Sequence, residues 1–243
     1  MAIFDVHYRC RRLVFFISYG SGSPFNIKAR TKHHTHIQYK DFQTGETMSI
    51  GGWIHYYGLT EWWLGDLSEA DRSKIIATFQ PMGSQGDFLT SGTVLSNSQN
   101  VVSFLANLAG WFNNPENRNI AKKILTKGAD IASSGTPLDQ HFLFQQMIEV
   151  YYKDRSDPTQ LQAAISACRQ QITISSKAAK NFRAKHKKLS LPSHKGYEQL
   201  IIILEKAGNL QEAIDLCNKA KLQGWSGNWD QRIEKCEKKL NKV

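Results

Sequence analysis

The stretch YEQLIIILEKAGNLQEAIDLCNKAKLQG, residues 197–224, decides the fold class of this chain. Apolar residues recur in it at steps of three and four, which is the period of one face of an α-helix. The two stripes are Tyr197, Leu200, Ile201 and Leu204, then Ala213, Ile214, Leu216, Cys217 and Ala220. Gly208 separates them and can adopt the left-handed conformation that ends a helix. We therefore expect two antiparallel helices that pack closely through small residues of the second stripe.

The spacing of these residues resembles a tetratricopeptide repeat over residues 194–227. The matching positions are Tyr197, Leu200, Ile201, Leu204, Gly208, Ala213, Cys217 and Ala220. The chain departs from the family where Ile201 replaces glycine, where Leu204 and Cys217 replace aromatic residues, and where Trp225 replaces proline. The resemblance implies helical hairpins stacked as an array, whose concave surface binds a protein or peptide. The alternative is an ordinary helical bundle that matches the repeat by chance.

Helix start signals extend the helical pattern on both sides of this stretch. Asn114–Pro115, Thr136–Pro137 and Asp157–Pro158 each place a capping side chain before a proline, which is typical of a first helical position. They predict helices over residues 115–132, 137–155 and 158–174. Ser68 together with Asp71 predicts the start of an earlier helix. Downstream, a capping helix over residues 228–241 is indicated by Trp229, Ile233, Cys236 and Leu240 on one side.

The fold class is therefore mainly α, with a small N-terminal region of a different kind. Residues 1–57 are predicted to be a basic region that forms a β-hairpin or is in part disordered, and residues 58–243 a helical domain containing the repeat-like pair 194–224. The hairpin strands are expected at residues 37–42 and 48–50, on either side of a turn. Aromatic residues from Trp53 to Trp63 are expected to pack at the junction of the two regions, although an exposed anchor for a partner is an alternative.

Length and composition exclude several classes of protein. The 243 residues are 41% hydrophobic and 21% charged, as in a globular protein with a core. No apolar run approaches the roughly 18 residues of a membrane span. The four cysteines form no CxxC pair, so a zinc ribbon is not indicated, and three of them fall in helical patterns, where cysteine is typically buried. This pattern favours a reducing, cytoplasmic setting without a membrane partner.

The net charge of +10 is concentrated near the C-terminus. Residues 176–243 carry 15 Lys and Arg but 7 Asp and Glu. The densest basic stretch supplies the candidate binding residues Lys177, Lys180, Arg183, Lys185, Lys187 and Lys188, followed by Lys195. On a helix, Lys177, Lys180, Arg183 and Lys187 would share one face, which could attract an acidic protein or follow the phosphates of a nucleic acid. Phe182 is the only Phe, Tyr or Trp in the stretch, which gives little support for base stacking.

No catalytic signature is found, and no cofactor is expected. His33, His34 and His36 form the densest imidazole cluster, but no carboxylate or thiol lies within four residues to complete a metal site. The remaining histidines occur singly and lack a recognisable nucleophile. We expect a non-catalytic binding module that recognises an acidic protein or peptide. A nucleic-acid-associated protein using residues 177–195 is the alternative, and an enzyme with an unfamiliar site around His33 is the third. The sequence does not give the oligomeric state.

Overall fold

The computed structural model describes residues 38–40, 47–81, 86–186 and 189–241. In these ranges the chain is mainly α-helical, which confirms the predicted fold class. The helices are α1 Gly52–Tyr56, α2 Thr60–Gly65, α3 Glu69–Thr78, α4 Val101–Gly110, α5 Arg118–Asp130, α6 Pro137–Lys153, α7 Pro158–Thr173, α8 Ser175–Lys185, α9 Lys195–Ala207, α10 Leu210–Gln223 and α11 Trp229–Leu240. Short 3₁₀ segments occur at Gly86–Leu89 and Ala132–Ser134.

Two small sheets accompany the helices. Strand β1, Gln38–Lys40, pairs antiparallel with β2, Thr47–Ser49, and this confirms the predicted hairpin. Strand β3, Leu191–Ser193, pairs in parallel with β4, Trp225–Ser226. The second pairing was not predicted. It joins the segment that precedes α9 to the segment that follows α10, so both ends of this helical pair are fixed at one place.

The capping signals locate most helix starts correctly. The Ser68 hydroxyl accepts from the Asp71 amide while the Asp71 carboxylate accepts from the Ser68 amide, and Thr136 and Asp139 form the same capping box. Asp157 caps α7, which begins at Pro158 as predicted. The predicted start at Pro115 is wrong. The Asn117 amide donates to Asn114 Oδ1 at 2.9 Å, which makes a turn of these residues, and α5 begins at Arg118.

Consecutive helices pack as pairs, and each pair contacts the next one. Helix α4 packs on α5 and α6, helix α6 on α7, and helix α7 on α9, which packs in turn on α10. Gly208 ends α9 with φ of +80°, the left-handed conformation predicted for it. The predicted antiparallel pair at residues 197–223 is therefore present, with its two helices side by side. Helix α11 packs on α10 and covers the end of this series.

The aromatic segment before α3 packs into the core. Trp62 and Trp63 are buried, and Trp53 meets Phe104 edge to face with ring centroids 5.5 Å apart. Packing at this junction is therefore confirmed for these tryptophans. Helix α1 lies inside the stretch that the sequence assigned to the N-terminal region, and its Ile54 is fully buried in the common core. Where the domain boundary falls stays a prediction.

Candidate binding surface

Helix α8 carries the described members of the predicted basic face. Ser175, Ala178 and Ala179 are buried, and Phe182 packs against the core, so this side of α8 faces the protein. The other side presents Lys177, Lys180, Arg183 and Lys185, all exposed. Lys187 and Lys188 lie outside the described residues. The helix ends at Lys185, so the predicted helical stripe does not extend to Lys187 as a continuous helix.

The cations of α8 lie in a stretch of sequence without acidic residues. The sequence contains no Asp or Glu between Asp157 and Glu198. Among the described residues, no carboxylate forms an ion pair with Lys177, Lys180 or Lys185, whereas other exposed cations such as Lys123 and Lys221 are paired with aspartates. Unpaired like charges on one helix produce a local positive potential that attracts an acidic partner.

Arg183 differs from the three lysines because it already has an intramolecular role. Its Nη2 donates to the Gln223 carbonyl oxygen at 2.7 Å, at the C-terminus of α10. A cation at this position is favourable because the helix dipole is negative there. The Gln223 side chain also donates to Ser176 Oγ at 3.0 Å. These two contacts fix α8 against the end of α10, and we therefore place the free binding charge on the lysines.

The repeat-like positions are structural. Tyr197, Leu200, Ile201, Leu204, Ala213, Cys217 and Ala220 are buried between α9, α10 and their neighbours. The Tyr197 hydroxyl donates to Gln223 Oε1 at 3.3 Å and lies 3.3 Å from Ser175 Oγ. These buried residues hold the helical pair together.

The structure also brings together His141, His194 and Trp225, which the sequence showed only as separate residues. The His141 ring stacks on the Trp225 ring with centroids 5.3 Å apart and an interplanar angle of 3°. The His194 ring meets His141 and Trp225 edge to face at 4.9 and 4.7 Å. The three residues come from α6, from the residue before α9 and from β4, so no local spacing signal could have predicted the cluster.

Gln171 connects this histidine cluster to the backbone. Its Nε2 donates to the His141 carbonyl oxygen at 2.9 Å, and its Oε1 accepts from the Gly196 amide at 2.6 Å. A Cβ atom on residue 196 would lie 2.7 Å from Gln171 Oε1 and 3.0 Å from the Cys168 carbonyl oxygen, so a larger residue there would displace the Gln171 side chain. His194 Nδ1 accepts from the Tyr197 amide at 3.3 Å and caps α9. The cluster therefore fixes the entry of the chain into α9.

Both imidazoles are neutral in the folded protein. Burial lowers the pKa of His141 to about 4. Burial, together with the nearby His141 ring, lowers the pKa of His194 to about 3. His141 Nδ1 and His194 Nε2 have no hydrogen-bond partner within the described part of the chain.

The described cysteines do not provide a nucleophile. Cys168, Cys217 and Cys236 are buried and free, as the sequence predicts. Burial raises the pKa of Cys168 to about 12 and that of Cys217 to about 11. No group of three or more His, Cys, Asp or Glu residues in the described ranges could hold a metal ion. The cluster His33, His34 and His36 lies outside those ranges.

Another basic surface lies on the outer side of α11. A shallow hollow of about 340 Å³ is lined by Gln231, Glu234, Lys235, Lys238 and Lys239. Its charges are largely compensated: Lys238 pairs with Glu234 at 2.5 Å and Lys235 with Glu205 at 2.9 Å. The uncompensated lysines of α8 are therefore the stronger candidate surface.

Comparison of the chain with protein-family models, with curated proteins and with solved structures finds no match. No helix in the described ranges is both long enough and apolar enough to cross a membrane.

Proposed function

We propose that this chain is a non-catalytic helical scaffold that binds an acidic protein or peptide through Lys177, Lys180 and Lys185 of α8. The observation that carries the proposal is the set of exposed lysines on one helix without a paired carboxylate among the described residues. Exposed, unpaired cations attract an acidic partner through their local positive potential.

The arrangement of helices supports the scaffold part of the proposal. The pairs α4–α5, α6–α7 and α9–α10 pack one after another, and α11 covers the last pair. A tetratricopeptide-like array has this order, and such arrays gain stability from the contacts between neighbouring pairs while keeping one surface open. We place the protein in the reducing cytoplasm, because its described cysteines are free and buried.

Nucleic acid is the second candidate partner, because the same lysines could contact phosphates without reading sequence. Phe182 is the aromatic residue of α8, and it packs against the core. This leaves α8 without an exposed aromatic ring among its described residues on which a base could stack. The geometry therefore favours an acidic peptide over a single-stranded nucleic acid.

The test measures binding of a fluorescent glutamate-rich peptide of about 16 residues to the full chain. We expect Lys177→Gln/Lys180→Gln/Lys185→Gln to weaken binding roughly tenfold, since exposed charge pairs contribute about 0.2–1 kcal/mol each. The matched control, Lys74→Gln/Lys206→Gln/Lys219→Gln, changes net charge equally at exposed lysines on other helices and should change affinity less than about twofold.

Two results would contradict this proposal. Equal affinity of the α8 variant and the wild-type chain would exclude α8 as the binding surface. The chain could also bind a 20-nucleotide single strand or duplex more tightly than the peptide at the same salt concentration. If the α8 variant loses that binding, the partner is a nucleic acid and not an acidic peptide.

A further inference from the structure

Ser190 is an exposed serine in the segment that connects α8 to β3. Its hydroxyl makes no hydrogen bond within the described part of the chain, and the preceding residue, Leu189, is also exposed. The next residue, Leu191, is buried and begins β3, where its carbonyl oxygen accepts from Ser226 Oγ at 2.5 Å. The Ser190 hydroxyl is therefore open to a partner, while the backbone that follows it is fixed.

The sequence before Ser190 is strongly basic. Lys187 and Lys188 stand three and two positions before it, and residues 158–197 contain no Asp or Glu. Protein kinases select their substrates in part by the pattern of charges beside the acceptor hydroxyl. Cations just before a serine suit a kinase whose substrate groove is acidic, because opposite charges attract. Ser190 thus combines an open hydroxyl with a recognisable charge pattern.

Ser190 also lies near the basic end of α8. Helix α8 packs on β3, which begins at the residue after Ser190. The Leu189 amide donates to the His186 carbonyl oxygen at 3.0 Å, just beyond the C-terminus of α8. This bond holds the Cα atoms of His186 and Leu189 within about 7 Å, so those of Lys185 and Ser190 lie within about 15 Å. A charge added at Ser190 therefore acts on the positive potential at this end of α8.

We propose that Ser190 is a phosphorylation site for a serine kinase that selects basic residues, and that the phosphate weakens binding of the acidic partner to α8. The Ser190 oxygen forms a bond to the γ-phosphorus of ATP, and its proton passes to a carboxylate of the kinase. The bond from that phosphorus to the β,γ-bridging oxygen breaks, and ADP leaves. Phosphoserine carries a charge of about −1.5 to −2 at pH 7, which opposes the charge of Lys177, Lys180 and Lys185. The effect on binding rests on the acidic-partner function assigned to α8.

The first experiment tests the site itself. The full chain is incubated with Mg·ATP and the catalytic domain of a serine kinase that selects basic residues before the acceptor, and fragment mass spectrometry locates the phosphate. We expect phosphate at Ser190 and its loss in Ser190→Ala. Lys187→Gln/Lys188→Gln should lower the initial rate about tenfold, because it removes the selected charges. Ser193→Ala is the matched control: Ser193 is exposed too, but no cation stands three or two positions before it, so the rate at Ser190 should be unchanged.

The second experiment tests the effect on binding. The fluorescent glutamate-rich peptide is titrated with the phosphorylated chain at about 20 mM salt, where the screening length is roughly 20 Å. We expect about fivefold weaker binding than with the unmodified chain, and a smaller difference at about 150 mM salt. Ser190→Asp adds one negative charge and should weaken binding about twofold, whereas Ser190→Asn, of the same size but neutral, should not. Thermal unfolding of each variant checks that it is folded.

Failure of this proposal can be told apart from failure of the α8 function. No phosphate at Ser190 in the wild-type chain, or an unchanged rate in Lys187→Gln/Lys188→Gln, would overturn the site. If the phosphorylated chain binds the peptide as tightly as the unmodified chain at low salt, while the triple lysine variant of α8 binds weakly, the regulation is overturned and the α8 function stands. If the triple lysine variant binds as tightly as the wild-type chain, the α8 function fails and the regulation fails with it.

Discussion

Two regions of this molecule are stabilised in different ways. Around α1, α3 and α4, aromatic rings pack on one another: Phe104 stacks on Tyr57 with centroids 4.8 Å apart and meets Phe79 edge to face at 6.2 Å. Where α6, α7 and α9 meet, polar groups are buried among the apolar ones, and Gln171 joins the His141 carbonyl to the Gly196 amide. We call the first the aromatic region and the second the polar junction.

Because of this difference, the two regions are expected to lose stability for different reasons. The aromatic region depends on filled volume, so its stability is lost when a ring is removed and does not depend on pH. The polar junction depends on paired donors and acceptors and on neutral imidazoles. One unpaired atom or one added proton destabilises it without any change of volume.

The largest effect is expected from Phe104→Ala in the aromatic region. Phe104 is fully buried, and its removal leaves a cavity that costs about 3–5 kcal/mol of unfolding free energy. Urea denaturation measures the loss. Phe104→Leu should cost much less because it fills most of the same volume. Similar losses for the two variants would mean that ring geometry, and not volume, stabilises this region.

Gln171→Met tests the polar junction at nearly constant volume. It leaves the buried Gly196 amide without a partner, which costs about 1–3 kcal/mol, and it removes the additional hydrogen bond to the His141 carbonyl, which costs about 1 kcal/mol. We expect a loss of about 2–4 kcal/mol in urea denaturation. Gln170→Met, at the exposed neighbouring position, is the control and should change stability by less than about 0.5 kcal/mol. An equally small effect of Gln171→Met would show that packing alone holds the junction.

Mild acidification should destabilise the polar junction without any mutation. The folded-state pKa values of His141 and His194, about 4 and about 3, lie below the ordinary value of 6.5. Below pH 6.5 the unfolded chain therefore binds protons that the folded chain does not, and stability falls as pH decreases. Each histidine contributes at most about 1.4 kcal/mol per pH unit.

The measurement is urea denaturation at pH 7, 6 and 5. Asp139 and Glu205 do not interfere in this window, because hydrogen bonds and cations hold their pKa values below the ordinary values despite partial burial. We expect a total loss of about 3 kcal/mol between pH 7 and pH 5, with a shallower slope in His141→Phe. His186→Gln, at an exposed position, should keep the wild-type slope. A flat profile in the wild-type chain would contradict buried neutral imidazoles.

The two regions also differ in how far the sequence predicts them. Helical periodicity and capping pairs such as Thr136 with Asp139 act within one turn, so they located α6, α7, α9 and α10. The aromatic segment was predicted to pack because large apolar groups favour the interior. The start of α5 was missed because Pro115 suits a turn as well as a first helical turn.

The polar junction and part of the basic face could not be predicted. His141, His194 and Trp225 are far apart in sequence, and the β3–β4 pairing that brings Trp225 near His194 involves strands too short to show a pattern. Exposure of the α8 lysines followed from the helical period, but the engagement of Arg183 with Gln223 depends on the position of α10.

The smallest expected effect concerns α11, whose attachment combines the two kinds of contact. Trp229 and Cys236 are buried apolar groups, while Glu205 of α9 accepts from Arg232 at 2.8 Å and from Lys235 at 2.9 Å. The Glu205 side chain is only 7% exposed, so Glu205→Gln leaves Arg232 without its charged partner in a half-buried position. We expect a loss of about 1 kcal/mol that decreases in high salt. Lys238→Gln, which breaks the exposed pair with Glu234, is the control and should leave the urea denaturation midpoint unchanged. Equal effects of the two variants would mean that apolar packing alone attaches α11 to the protein. The attachment would then resemble the aromatic region, which is also stabilised by apolar packing.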